Sequence, residues 1–177
     1  MKTTVLAGII TIVTSPAFAQ FPEGKSTAKA SNGVSVTIQG DTFANRYSFV
    51  SPEISTKSEK RATTFAYVTK LNNGDVKGDF AVIGFIIYTS QKWRYYNSAL
   101  FRGGEAVDYV KLSSDVSNCS SACIYTERFS VRMTQEQTEK YTVNGKVDFQ
   151  IGTEAEDDKV IISVPTKFID AVNEIGK

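Results

Sequence analysis

Histidine is absent from this 177-residue chain, which removes the Ser-His-Asp and Cys-His catalytic arrangements and the commonest protein ligand for zinc. Cysteine is scarce as well: with only Cys119 and Cys123, no second pair is present to complete a soft-metal site, so neither a metal nor a cofactor is expected. Charge of one sign is lacking too. Twenty Lys and Arg against nineteen Asp and Glu leave a formal net charge of +1, without the basic excess that a nucleic-acid partner calls for. No P-loop, dinucleotide fingerprint or Ser-x-x-Lys motif occurs. Most familiar enzyme classes are thereby set aside, and the chemistry left to the chain is that of carboxylates.

The N-terminus has the pattern of a secretory signal. Lys2 precedes a short apolar run at 5–13, and Ala17 and Ala19 stand at the small-residue positions of a cleavage site before Gln20. The run is shorter than the roughly 18 apolar residues of a membrane span, and no later stretch approaches that length, so no integral membrane segment is expected after cleavage. The expected organisation is a signal peptide at 1–19, a flexible leader at 20–32 without apolar period, and one β-rich domain at 33–177. The expected location is the periplasm or the extracellular space. In such an oxidising compartment Cys119 and Cys123 should pair as a local staple.

Period-two patterns dominate the domain. Val34, Val36 and Ile38 alternate with polar residues, and Phe43, Tyr47, Phe49 and Val50 mark a second strand stopped by Pro52. Residues 55–61 read as a solvated, charged loop, and 63–71 as a strand with Phe65, Tyr67 and Thr69 on one side. Asn72-Asn73-Gly74-Asp75 is a turn, since Asn-Gly suits the positive φ angles of tight hairpins. Residues 80–88 are apolar at both parities, which predicts a central strand buried on both faces, with Gly84 marking a bulge or a close approach.

A hairpin is expected at 105–133. Its second strand puts Tyr125, Glu127, Phe129, Val131 and Met133 on one face. Asp108, Val110 and Leu112 join that face only if paired residue numbers sum to an odd value, which predicts a bulge or an irregular tip near the cysteines.

Thr134 followed by Gln137 resembles a capping box and predicts a short helix, and strands follow at 146–151 and 159–164. The acidic loop between them suggests calcium but lacks the ligand order of an EF-hand. Pro165 then opens a helix with Phe168, Ile169, Val172 and Ile175 on one stripe. The expected fold class is therefore mainly β: an antiparallel β-sandwich or strongly curved sheet with two short helices near the C-terminus.

Two features bear on function. Trp93, Arg94, Tyr95 and Tyr96 form the most aromatic segment, in which alternation puts Trp93 and Tyr95 on one side and Arg94 and Tyr96 on the other. One reading makes it core packing with Arg94 stacked on a ring. The other makes it a recognition platform, since Tyr, Trp and Arg dominate binding hot spots and aromatic faces suit sugar rings. Glu127 is a carboxylate on an apolar face and must be paired or protonated there. Either it forms an ion pair with Arg102, Lys111 or Arg128, or it serves as a general acid, with Asp108 as the weak candidate for a second carboxylate. The functional expectation is a non-enzymatic binding or assembly module of the bacterial envelope, its partner an envelope protein or glycan. The alternative is a carboxylate-dependent hydrolase acting on an envelope glycan.

Overall fold

The computed structural model describes residues 23–57, 62–74, 76–153 and 158–177. The proposed signal peptide and most of the acidic loop at 152–158 lie outside these residues. Mainly β structure with two helices near the C-terminus is observed, in antiparallel sheets that do not close into a barrel. The strands are β1 (Gly24–Lys29), β2 (Ser35–Asp41), β3 (Arg46–Val50), β4 (Ile54–Lys57), β5 (Ala62–Asn73), β6 (Val76–Ser90), β7 (Ser98–Phe101), β8 (Asp108–Ser117), β9 (Cys123–Arg132), β10 (Thr142–Val143), β11 (Lys146–Gly152) and β12 (Lys159–Pro165). The helices are α1 (Gln135–Tyr141) and α2 (Thr166–Ile175).

The larger sheet runs β1-β2-β3-β5-β6-β9-β8, with β4 pairing the first part of β5 beside β3. The smaller sheet runs β10-β11-β12, with β7 pairing the later part of β11 along the edge that β10 shares, opposite β12. The chain crosses from the larger sheet to the smaller after β6 and returns at β8. Residues 91–97 form the outgoing crossover and lie where the two sheets meet. The inner faces and α2 share one hydrophobic cluster containing Val36, Phe49, Val68, Ile86, Phe129, Phe149, Ile162 and Ile169.

Local chemistry explains most of the elements. The β5–β6 turn carries Gly74 at φ +61°, as the Asn-Gly signal requires. Thr134 accepts from the Gln137 backbone N–H while the Gln137 side chain accepts from the Thr134 N–H, completing the capping box of α1. On α2, Ile169, Ala171 and Val172 are buried, and Phe168 and Ile175 pack partly against the core. Cys119 and Cys123 are joined in a disulfide at the tip between β8 and β9.

Four expectations are corrected. Residues 24–29, expected as leader, form the edge strand β1 paired along β2, held by backbone bonds that apolar periodicity does not report. Part of the expected loop after Ile54 is strand β4, paired to β5. Phe43 lies fully exposed in the β2–β3 turn. On β5, Phe65, Tyr67 and Thr69 do share one face, as expected; they are half-buried there, opposite the buried Ala62, Thr64, Ala66 and Val68. Strand β6 is central, but only its Phe80, Val82, Ile86 and Tyr88 side is fully buried.

The predicted irregularity of the β8–β9 hairpin is present, although it lies within the strand. Pairs sum to an even number from Asp108–Arg132 to Lys111–Phe129, and to an odd number from Ser113–Arg128 onward. The bulge is thus at Leu112, and Tyr109 and Lys111, not Asp108 and Val110, share the inner side with Phe129 and Val131.

Candidate functional site

Glu127 is the organising group. Its position on β9 turns it inward with Tyr125 and Phe129, where it is 1% exposed. Oε1 accepts from the Tyr88 hydroxyl at 2.6 Å and from the Tyr95 backbone N–H at 3.2 Å. Oε2 accepts from the Tyr96 N–H at 3.1 Å and faces the Lys111 ammonium at 3.3 Å. Four donors on two oxygens satisfy a carboxylate that would otherwise be costly to bury. Of the three basic partners considered from sequence, Lys111 is the one that pairs with it. Arg102 instead bonds Asp148 at 3.0 Å, and Arg128 lies on the other face of β9, over the Phe85 ring.

The carboxylate ties down the crossover at 91–97. This segment is irregular rather than strand, because it must leave one sheet and enter the other. Tyr88 extends the network: its oxygen accepts from the Arg94 N–H at 2.8 Å, and the Arg94 guanidinium lies 4.6 Å from its ring centre. The Arg94 side chain reaches Asp158 at 3.6 Å and the Tyr96 hydroxyl at 3.4 Å. Tyr96 is 1% exposed, and its carbonyl accepts from the Tyr109 hydroxyl at 3.0 Å. Tyr95 points the other way. It is 60% exposed and has φ +58°, a left-handed conformation that is uncommon for a bulky side chain.

The four aromatic-segment candidates therefore divide. Arg94 and Tyr96 belong to the buried network, Trp93 is half-buried against Tyr125 with ring centres 4.5 Å apart, and Tyr95 is presented to solvent. The Trp93 and Tyr95 rings lie 6.3 Å apart, and the Lys111 ammonium stands 5.9 Å and 5.5 Å from their centres. The expected division into Trp93 with Tyr95 and Arg94 with Tyr96 holds spatially, without the strand that motivated it.

Asp108 does not share this site. It is exposed on the outer side of β8, 3.6 Å from Arg132. Glu127 lies five residues along β9 from Asp108's partner Arg132 and points inward, so the two carboxylates are roughly 16 Å apart along the strand direction. That exceeds the separations of about 5–10 Å used in glycoside hydrolysis. A cavity of about 320 Å³ lies on the smaller sheet, lined in part by Leu100, Arg102, Asp148, Gln150 and Ile161, and includes neither Glu127 nor the residues bonded to it. No cluster of three metal-ligating side chains occurs among the described residues. No described helix is long and apolar enough to cross a membrane.

Sequence patterns overlooked Tyr88, Tyr109 and Asp158. Tyr88 ends an apolar run and passes for core, while Asp158 belongs to a loop read as solvated. Backbone N–H groups that donate to a carboxylate leave no trace in residue identity at all.

Burial raises the pKa of Tyr88, and its hydrogen bond to Glu127 adds to the shift. Burial also raises Tyr109, with a further push from the Glu127 charge, and raises Tyr96 against the opposing effect of Arg94. A folded pKa above the unfolded value leaves stability unchanged below about pH 10, the ordinary tyrosine value, and erodes it above, as the unfolded chain releases protons the folded chain keeps. Tyrosinate absorbance should therefore show a late phase, from Tyr88, Tyr96 and Tyr109, that coincides with loss of near-ultraviolet circular dichroism. A single smooth titration with the fold intact would contradict the network.

No protein-family model matches the chain, and no curated protein or solved structure is significantly similar to it.

Proposed function

We propose that this chain is an exported, non-enzymatic binding or assembly module of the bacterial periplasm or cell envelope. Its contact point is the surface made by Tyr95, Trp93 and the Lys111 stem. The carrying observation is Tyr95: a large aromatic in a left-handed conformation, exposed, with its backbone N–H held by a buried carboxylate. Strain that the surroundings hold in place is concentrated at functional positions, and here its product is an outward-facing ring beside a tryptophan and a cation. Tyrosine, tryptophan and a cation are suited to an envelope protein surface or to the apolar face of a sugar. The signal pattern at 1–19 and the disulfide support export.

In-cell photocrosslinking tests this. A photoreactive residue at Tyr95 should capture a discrete partner, protein or glycan, in a chain whose mature form begins at Gln20. The same residue at Tyr96, buried below it, should capture nothing. No adduct at Tyr95 or Trp93 from folded, exported protein would remove the contact surface.

A further inference from the structure

Strand β6 is apolar on both sides, but the described residues cover only one. Ile83, Phe85 and Ile87 point away from the core and are half-buried. Register sets Phe85 beside Phe65 and Ile83 beside Tyr67 on β5, and Phe85 beside Arg128 on β9. Val50 and Val110 extend the same face. Helix α2 and strand β12, which approach β5 from outside the sheet, do so from the core side, where their buried residues join Ala66 and Val68. An antiparallel sheet with a solvated face shows polar residues there. Its two central strands instead show Phe65, Tyr67, Ile83, Phe85 and Ile87, an apolar stripe of the kind that packs on another layer, flanked by polar residues such as Ser55 on β4 and Arg128 and Ser130 on β9.

We infer that two copies of the chain stack outer face on outer face, sheet on sheet, about a twofold axis parallel to the strands. The size fits. The face spans five strand positions, from β4 to β8, and about nine residues of β5, roughly 24 Å by 30 Å at ordinary sheet spacings. That is on the order of 700 Å², close to the ~800 Å² each partner gives to a standard stable interface.

Charge selects the axis. Rotation about an axis along the strands sets the β9 side of one copy over the β4 side of the other. Arg128, exposed and in no ion pair among the described residues, then approaches Glu53 of the second copy. Glu53 is an exposed carboxylate on this face, where it accepts from the Tyr67 hydroxyl at 2.8 Å. Rotation about an axis across the strands would instead stack β9 on β9 and gather Arg128 and Arg132 of both copies. The face lies across the sheet from Glu127, so this interface leaves the Tyr95 surface open and does not depend on it.

Sedimentation and light scattering of the purified protein at tens of micromolar should give a dimer. Ile83→Arg should give a monomer with unchanged near-ultraviolet circular dichroism. Arg128→Glu should weaken the dimer about tenfold or more, and Arg128→Glu combined with Glu53→Arg should restore it, a result that misfolding cannot imitate. A wild-type monomer would overturn the inference, whether the face is then open, covered by residues 1–22 or taken by a different protein. So would a dimer that survives Ile83→Arg, or an Arg128→Glu defect that the charge swap fails to repair.

Discussion

Replacement of Glu127 by leucine is expected to lower the free energy of unfolding by about 3–5 kcal/mol, and by glutamine by about 2–3 kcal/mol. In the leucine variant the Tyr95 N–H, the Tyr96 N–H and the Tyr88 hydroxyl lose their acceptor inside the fold. Lys111 suffers least, because its side chain is 38% exposed and can turn to water. Glutamine keeps one acceptor for Tyr88 and Tyr95 but sets an NH₂ donor against the Tyr96 N–H and the lysine. Urea denaturation measures both. Lys111→Met should cost less in the Glu127→Gln background than in the wild type, because the charge it neutralises is already gone. Losses below about 0.5 kcal/mol for both Glu127 variants would mean that the carboxylate anchors nothing.

The second large effect belongs to Gly84. A Cβ built there would stand 2.5 Å from Phe129 Cζ and 2.7 Å from the Phe65 carbonyl oxygen. Neither neighbour gives easily: Phe129 is completely buried, and the carbonyl is part of the sheet backbone. Gly84→Ala should therefore cost about 2–4 kcal/mol, and Gly84→Val more, through displacement of the ring and opening of the β5–β6 ladder. Combining Gly84→Ala with Phe129→Leu should recover part of the loss by removing the ring carbon in contact, as read from melting temperatures. An Ala variant as stable as the wild type would show that the sheet relaxes freely at this point.

How much of this was legible in the sequence depended on whether a residue's role is written in its side chain. Val34, Val36 and Ile38 declared β2, Thr134 and Gln137 declared α1, and Phe168 through Ile175 declared α2, because burial periodicity and capping are side-chain signals. Strand β1, Gly-Lys-Ser-Thr-Ala-Lys, has no apolar face and owes its place to backbone pairing with β2, so it passed for leader. The bulge at Leu112 reversed which residues of β8 face inward. Parity anticipated a break but could not locate it.

At the site, Glu127 was visible as a carboxylate among apolar residues. Of its partners Lys111 was among the candidates, but the others were not visible, since two are backbone N–H groups and one, Tyr88, comes from another strand thirty-nine residues away. Alternation through 93–96 assumed a strand and so missed the crossover, along with the left-handed turn that separates exposed Tyr95 from buried Tyr96.

A buried carboxylate that holds an irregular crossover rigid, so that one aromatic ring is displayed, should leave its mark on backbone exchange. Amide hydrogen exchange at Tyr95 and Tyr96 tests it most directly. Both N–H groups should exchange as slowly as those of neighbouring β6, despite lying outside any strand, and Glu127→Gln should accelerate them selectively before the sheet opens. Rapid exchange of both amides in the wild type, at rates typical of an exposed loop, would contradict it.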